Sequence, residues 1–442
     1  MAQPPPADAL FTDLYELTMA AGYFHHHLHT ERATFSVFAR NPGKKRNYSV
    51  AAGLEAVLAA LSRYQFTPED LTYLRSLDLF PDAFLDYLGG LRFRGDIWAL
   101  PEGTLFFPDE PLMEISAPLI EAQLVETFIL NTLGLASLIA TKASRCVHAA
   151  RGRPLVDFAL RRTQGRDAGD QVARSAYMTG FAATSNVGAG QRFGIPVSGT
   201  MAHSFVSAFP SERDAFRAFA EVFPQNAIFL IDTWDTIEGA RNAAAVAREM
   251  QVRGQQLRGV RLDSGDMVTL SRAVRAILDR EGQKDAKIYA SSGFDEFALD
   301  AVVKAGAPID AFGVGTRMGV SADAPYMDIV YKLVRRGNRD VRKLSPGKIT
   351  LAGKKQVFRR AGKNGLYRED IIACREEIVE DAEGLLEPVM NKGRRLHPQV
   401  PLEEIRKNFQ SNFARLDVCY KNIHGHQAYP VRISPRLQAL QK

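Results

Sequence analysis

Cysteine is scarce in this chain: Cys146, Cys374 and Cys419 are the only three among 442 residues. They lie far apart, their number is odd and no CxxC pair occurs. This argues against a disulfide framework or a cysteine-rich zinc site. Long apolar runs are missing too. The nearest, 128–140, is interrupted by Asn131 and Thr132, so no transmembrane helix is expected. The opening MAQPPPADAL has neither a basic n-region nor an apolar h-region. No signal peptide is expected, and the cytoplasm is the expected compartment. A Walker A sequence is absent, and the GxGxxxG spacing in FGVGTRMG misses the dinucleotide fingerprint. Charge of one sign does not dominate overall, with 56 Lys+Arg against 50 Asp+Glu. The distribution is uneven: residues 331–442 hold 24 basic and 12 acidic residues, +12, which leaves the first 330 at −6. The basic residues there are mixed with acids, as in ACREEIVEDAEG, and are not interleaved with aromatics. The expectation is a solvated surface or attraction of a polyanionic substrate, with no nucleic acid as partner.

Hydrophobic residues at 46% and charged residues at 24% describe an ordinary globular chain. Its length suits two or three domains, or one barrel with additions. Residues 1–9 read as a frayed, proline-rich tail. A helix is predicted over 12–24 with Thr12 or Asp13 as N-cap, a strand at ATFSVF (33–38) and a helix over 49–64. Three short β pieces, DIWAL, TLFF and LMEIS, follow between turn residues. After Pro118 comes a long helical stretch, 120–150. Then apolar runs alternate with helical segments such as 238–250 and 267–281. The runs are PLVDF (154–158), PVSGT (196–200), AIFLIDT (227–233), GVRLD (259–263), KIYASS (287–292) and IDAFGVG (309–315). This is the pattern of βα units with buried parallel strands, in a barrel or a doubly wound sheet. The expected class is α/β: an irregular (β/α) barrel over 119–324. An α+β domain over 1–118 is completed by about 325–375, through the strands YMDIVYKLV and KQVFRR. Residues 376–442 are expected to form a helical and loop extension.

The ends of the six runs are polar, and in βα barrels active sites gather there. Arg261 and Asp263, two apart in VRLDSGD, point to one face of a strand. The arginine suits a carboxylate or phosphate; the acid suits ribose hydroxyls or a hydrated Mg²⁺. Gly315 and Thr316 suit phosphate, because glycine lets backbone N–H groups approach an anion. Ser292 and Gly293 end the neighbouring run and join them as phosphate candidates. Phe158 followed by Arg161 suits a planar anionic ring. His203 follows a short strand; taken alone it is an ordinary histidine. The run HHHLH at 25–29 lacks a completing carboxylate or thiol, and no metal is expected there.

Seven segments in order — TDLYELTMA, DFALRRTQG, ATSNVGAG, SGTMAHSF, IDTWDT, VRLDSGD and FGVGTRMG — together resemble the nicotinate phosphoribosyltransferase family over most of 10–335. The resemblance implies formation of nicotinate mononucleotide and diphosphate from nicotinate and 5-phosphoribosyl 1-diphosphate. It also implies coupled ATP hydrolysis, a requirement for Mg²⁺ and a homodimer with shared sites. His203 matches the histidine that ATP phosphorylates, and Asp232 is expected to fix its tautomer. Thr200 and Arg261 match nicotinate-holding positions, and Thr316 a phosphate contact. Tyr15 resembles the tyrosine that stacks on the pyridine ring from the other subunit, opposite Phe158, and Asp263 the acid near the ribose. Ser185 stands where nicotinamide-using relatives carry an aspartate, which favours the acid substrate. Ala159 departs from the glycine expected in DFALRR. The alternatives are a nicotinamide or quinolinate phosphoribosyltransferase, a catalytically silent nucleotide-binding barrel, and a nucleic-acid binder.

Overall fold

The structure is a computed structural model and describes residues 9–40, 46–343 and 350–442. Apart from Ala9, the expected frayed tail lies outside the described residues. The chain forms two compact units, Met1–Thr141 with Ala324–Lys442, and Lys142–Asp323.

In the first unit, strand Arg32–Ala39 is buried at every position but its first. It pairs antiparallel with Pro111–Pro118 on one side and with Ile329–Arg336 on the other. Asp96–Ala99 adds to Pro111–Pro118, and Glu387–Asn391 adds to Asp96–Ala99. Early and late segments therefore share one sheet. Phe35 stacks on Tyr331 with centroids 4.7 Å apart, and Val37, Ile97, Ile115, Leu58 and Phe84 fill the core beside them. The helix expected over 49–64 is interrupted. Ser49–Val50 is a strand, and Gly53 at φ +95° turns the chain before the helix Leu54–Leu61 starts. Lys355–Ala361, one of the two strands expected to complete this domain, enters a separate four-stranded sheet with Tyr367–Cys374, Glu383–Gly384 and Val431–Ile433. The helix-and-loop reading of 376–442 is also corrected. Leu402–Arg415 is helical, but Glu387–Asn391 and Val431–Ile433 are strands. These strands are too short to show an alternation in sequence, and Pro388 interrupts the first.

The second unit carries the βα pattern. Its strands are β1 (Leu155–Asp157), β2 (Ala183–Thr184), β3 (Ile228–Leu230), β4 (Gly259–Leu262), β5 (Lys287–Ser291) and β6 (Ala311–Val314). They lie in the order β2-β1-β6-β5-β4-β3, every neighbouring pair parallel. Helices Thr236–Val252, Met267–Arg280 and Glu296–Lys304 make the return crossings. Asp235, Asp266 and Asp295 cap their N-termini by accepting backbone N–H bonds at 2.7–3.1 Å. Each cap fixes where a strand-end loop must finish. Among the described residues the backbone ladder does not close, so the expected barrel is, in its pairing, a parallel sheet with helices. The PVSGT run gives only a single bridge, Val197 to Thr184. Pro196 has no N–H to offer a ladder, and Gly199 no side chain to pack. Strand β2, in AATSN, was not among the expected strands.

The stretch Leu119–Ala149 is long and apolar enough to cross a membrane, but 56% of its most apolar window is buried inside the protein. It behaves as a core helix. Charged side chains along it, Lys142 and Arg145, are buried against Glu296 at 2.5 and 2.9 Å.

Candidate active site

The carboxyl ends of the six strands lie along one edge of the second unit's sheet, and the polar residues read from the sequence meet there. Arg261, at the end of β4, is only 13% exposed in its side chain. Its Nη2 donates to the Met201 carbonyl at 2.5 Å. Its Nη1 donates to Ser291 Oγ on β5 at 3.0 Å and to Asp263 Oδ1 at 3.4 Å. The buried Nε has no partner, and neither has the buried hydroxyl of Thr200, next to Met201. Burial pulls the guanidinium below its usual range, Asp263 and Asp232 oppose that, and Arg161 adds to the depression. Arg261 nevertheless stays charged.

Asp263 receives Ser291 Oγ at 2.5 Å, and its Oδ2 lies 3.7 Å from His203 Nε2. His203 Nδ1 meets Thr233 Oγ1 at 3.2 Å. The imidazole is 45% exposed, so a ligand can reach it. Asp232, beyond β3, accepts from the Asp263 amide at 2.8 Å and from Ser264 Oγ at 2.6 Å. Its other oxygen, Oδ1, is buried without a partner.

On β1, Asp157 is 1% exposed. It accepts from the Ala159 amide at 2.8 Å and from Thr184 Oγ1 on β2 at 2.7 Å. Burial holds its carboxyl above the ordinary range against those bonds. The two anchors fix the loop carrying Phe158 and Arg161 and the loop opening at Ser185. Phe158 donates its amide to the Val314 carbonyl and lays its ring over Gly313. A Cβ on Gly313 would stand 2.5 Å from that ring, and one on Gly315 would stand 3.1 Å from the Phe158 carbonyl. A side chain at Gly313 would force the Phe158 ring to move, and one at Gly315 would crowd the Phe158 carbonyl. Ser292 takes φ 123° and Gly293 φ 61°. A serine in that region is strained, and such strain gathers where a loop must hold a ligand. Thr316 is exposed and opens the turn Thr316–Gly319.

Three descriptions of one protein family match the chain: the nicotinate phosphoribosyltransferase N-terminal domain over residues 10–134, the family itself over 154–334 and the C-terminal domain over 379–441. The chain belongs to the nicotinate phosphoribosyltransferase family. A nicotinate phosphoribosyltransferase of Mycobacterium tuberculosis, pncB2, is 45% identical over 433 residues, 97% of this chain and 92% of the relative. The Bacillus subtilis enzyme of the same name is 38% identical, over 96% and 93%. The crystal structure of human nicotinic acid phosphoribosyltransferase superposes with a TM-score of 0.88 at 30% identity, over 97% of this chain and 99% of that one.

Within this phosphoribosyltransferase, one expected role moves. Asp232 does not contact the imidazole; it is spent on the backbone and hydroxyl of the β4 loop, and Thr233, its neighbour, takes Nδ1. Successive residues leaving a strand point to opposite sides, so only one of the two can face His203. Tyr15 belongs to the first unit, on the helix Leu14–His25, half-exposed, with its phenol beside Glu126. Thr233, Ser291 and Asp157 went unassigned in the sequence, although each lies inside or one residue from an assigned motif. Their signal was the same as that of the chosen residues: a polar side chain at the end of an apolar run. Among the described residues no three His, Cys, Asp or Glu side chains converge as metal ligands.

Proposed function

We propose that the chain forms nicotinate mononucleotide and diphosphate from nicotinate and 5-phosphoribosyl 1-diphosphate, stimulated by ATP hydrolysis through His203. The observation that carries this reading is the pair of buried, unpartnered groups at one place, Arg261 Nε and Thr200 Oγ1. A buried donor without an acceptor costs about 1–3 kcal/mol, and a substrate carboxylate would satisfy both. Phe158 flanks the pyridine ring, and Tyr15 of a second copy covers its other face. Ser185 presents a hydroxyl rather than a carboxylate, so the acid substrate meets no like charge.

The ring nitrogen bonds to the anomeric carbon while the bond from that carbon to the diphosphate oxygen breaks. Positive charge develops on the ribose, and Asp263 steadies it. Ser292, Gly293, Gly315 and Thr316 hold the 5-phosphate through hydroxyls and backbone N–H groups, and Arg161 adds positive charge near the anions. Asp263 and the unpartnered Asp232 Oδ1 fit a hydrated Mg²⁺, which when bound supplies charge that screens the phosphates. For ATP coupling, Thr233 Oγ1 accepts a hydrogen bond from Nδ1–H, which keeps the proton there and leaves the Nε2 lone pair free. Nε2 attacks the terminal phosphorus, the bond to the ADP oxygen breaks, and water later cleaves the N–P bond to give phosphate. A homodimer with shared sites belongs to the same proposal. So does an irregular barrel: Met201 and His203, just past the bridge at one sheet edge, bond to Arg261 and Thr233 near the other. The three thiols are unpaired, which supports a reducing, cytoplasmic setting.

The test is product formation with nicotinate, nicotinamide or quinolinate, with and without ATP, beside His203→Ala. Turnover of nicotinate alone, with ATP stimulation lost in the variant, is expected. Turnover of nicotinamide would remove the Ser185 argument, and stimulation that survives in His203→Ala would remove the phosphohistidine.

A further inference from the structure

The opposite edge of the second unit's sheet, at the amino ends of β1, β5 and β6, holds a cleft of about 440 Å³. Four cations line it, Arg153, Arg275, Lys284 and Lys287, against one acid, Asp310. The acid is already engaged. Asp310 Oδ2 accepts the Ile288 amide at 2.8 Å, and Oδ1 lies 3.2 Å from Lys287 Nζ. Arg275 is also committed: Nη1 and Nη2 donate to the Ala286 and Gln283 carbonyls at 2.7 and 2.8 Å, and Nε to Asp279 at 2.9 Å. These bonds hold the loop that presents Lys284. Two cations keep free capacity. Arg153 Nη1 is buried without a partner, and Lys284 is exposed with no ion pair among the described residues. Pro154 and Pro308 supply flat apolar surface in the same cleft.

We propose that this cleft binds a phosphate-bearing anion of nucleotide size, at a site separate from the reaction centre. A wall of cations beyond what the local acids neutralise repels itself, and an anion relieves that repulsion. Arginine and lysine together suit phosphate, the one by directional N–H bonds, the other as a point charge. The volume falls in the range of small-molecule sites, and the proline surface suits a ring beside the charged group.

The test uses the full chain with ATP, inorganic triphosphate or adenosine as probes, read by amide hydrogen exchange and by titration calorimetry. ATP and triphosphate are expected to slow exchange at 152–156 and 284–288, apart from any effect at the strand carboxyl ends. Adenosine is expected to do nothing there. Lys284→Glu, an exposed change outside the reaction centre, is expected to weaken that event roughly tenfold at low salt and to leave turnover without ATP unchanged. Protection confined to the carboxyl ends would overturn the proposal. So would equal affinity in the variant, or an equal effect of adenosine.

Discussion

Arg261 is the residue on which the strand-end contacts converge, since it ties β4 to β5 and to the loop before His203. Its buried Nε–H has no protein acceptor, which leaves it for the proposed substrate carboxylate. Arg261→Gln keeps hydrogen-bonding capacity and removes the charge. A hydrogen bond to a charged group contributes about 1.5–3 kcal/mol, so the KM for nicotinate should rise roughly ten- to a hundredfold, with a smaller change in kcat. Steady-state kinetics with nicotinate varied would check it; an equal fall in kcat with KM unchanged would assign Arg261 to the chemical step instead. The period-2 spacing in VRLDSGD displays this arginine in the sequence by a local signal, whereas His203 is ordinary taken alone and stands out only through the family resemblance of SGTMAHSF. The partner of His203 was less legible. Thr233 and Asp232 are adjacent, and which of them faces the imidazole depends on a contact spanning 30 residues.

The loops after β1 and β2 are held by a single carboxylate, Asp157, buried between the Ala159 amide and Thr184. Burial raises its pKa above the ordinary aspartate value, so the folded protein binds this proton more tightly than the unfolded chain does. Its contribution favours folding below about pH 4 and is lost as pH rises through the folded value. Asp157→Asn removes that titration. Urea midpoints from pH 4 to 7 should show the wild type losing stability relative to the variant as pH rises; parallel curves would refute the assignment. The apolar runs of β1 and β3–β6 were readable because buried parallel strands are nearly continuous in Val, Ile, Leu and Phe. Strand β2 was not, since two residues between polar loops carry no period, and PVSGT read as a strand on local propensity that Pro196 and Gly199 defeat.

Across the whole molecule, the proposed shared site makes a prediction that no single subunit can satisfy. Tyr15→Ala and His203→Ala each abolish ATP-stimulated turnover by removing a different subunit's contribution. Mixed and reassociated, the two variants should recover about a quarter of the wild-type ATP-dependent increment, because half the dimers are mixed and each has one intact site. No recovery after verified subunit exchange would place Tyr15 and His203 in the same subunit's site. The sheet shared by early and late segments is half legible: Ile329–Arg336 reads as a returning strand, whereas Glu387–Asn391 is hidden by its brevity and by Pro388. That sheet has a consequence for how the protein is made. Arg32–Ala39 cannot gain its Ile329–Arg336 partner until about 300 more residues have left the ribosome, on the order of 15–60 s at ordinary elongation rates. During that interval the nascent chain carries an open, apolar strand edge, and because Lys142–Asp323 is finished only about six residues before Ile329–Arg336 begins, the two units are completed almost together.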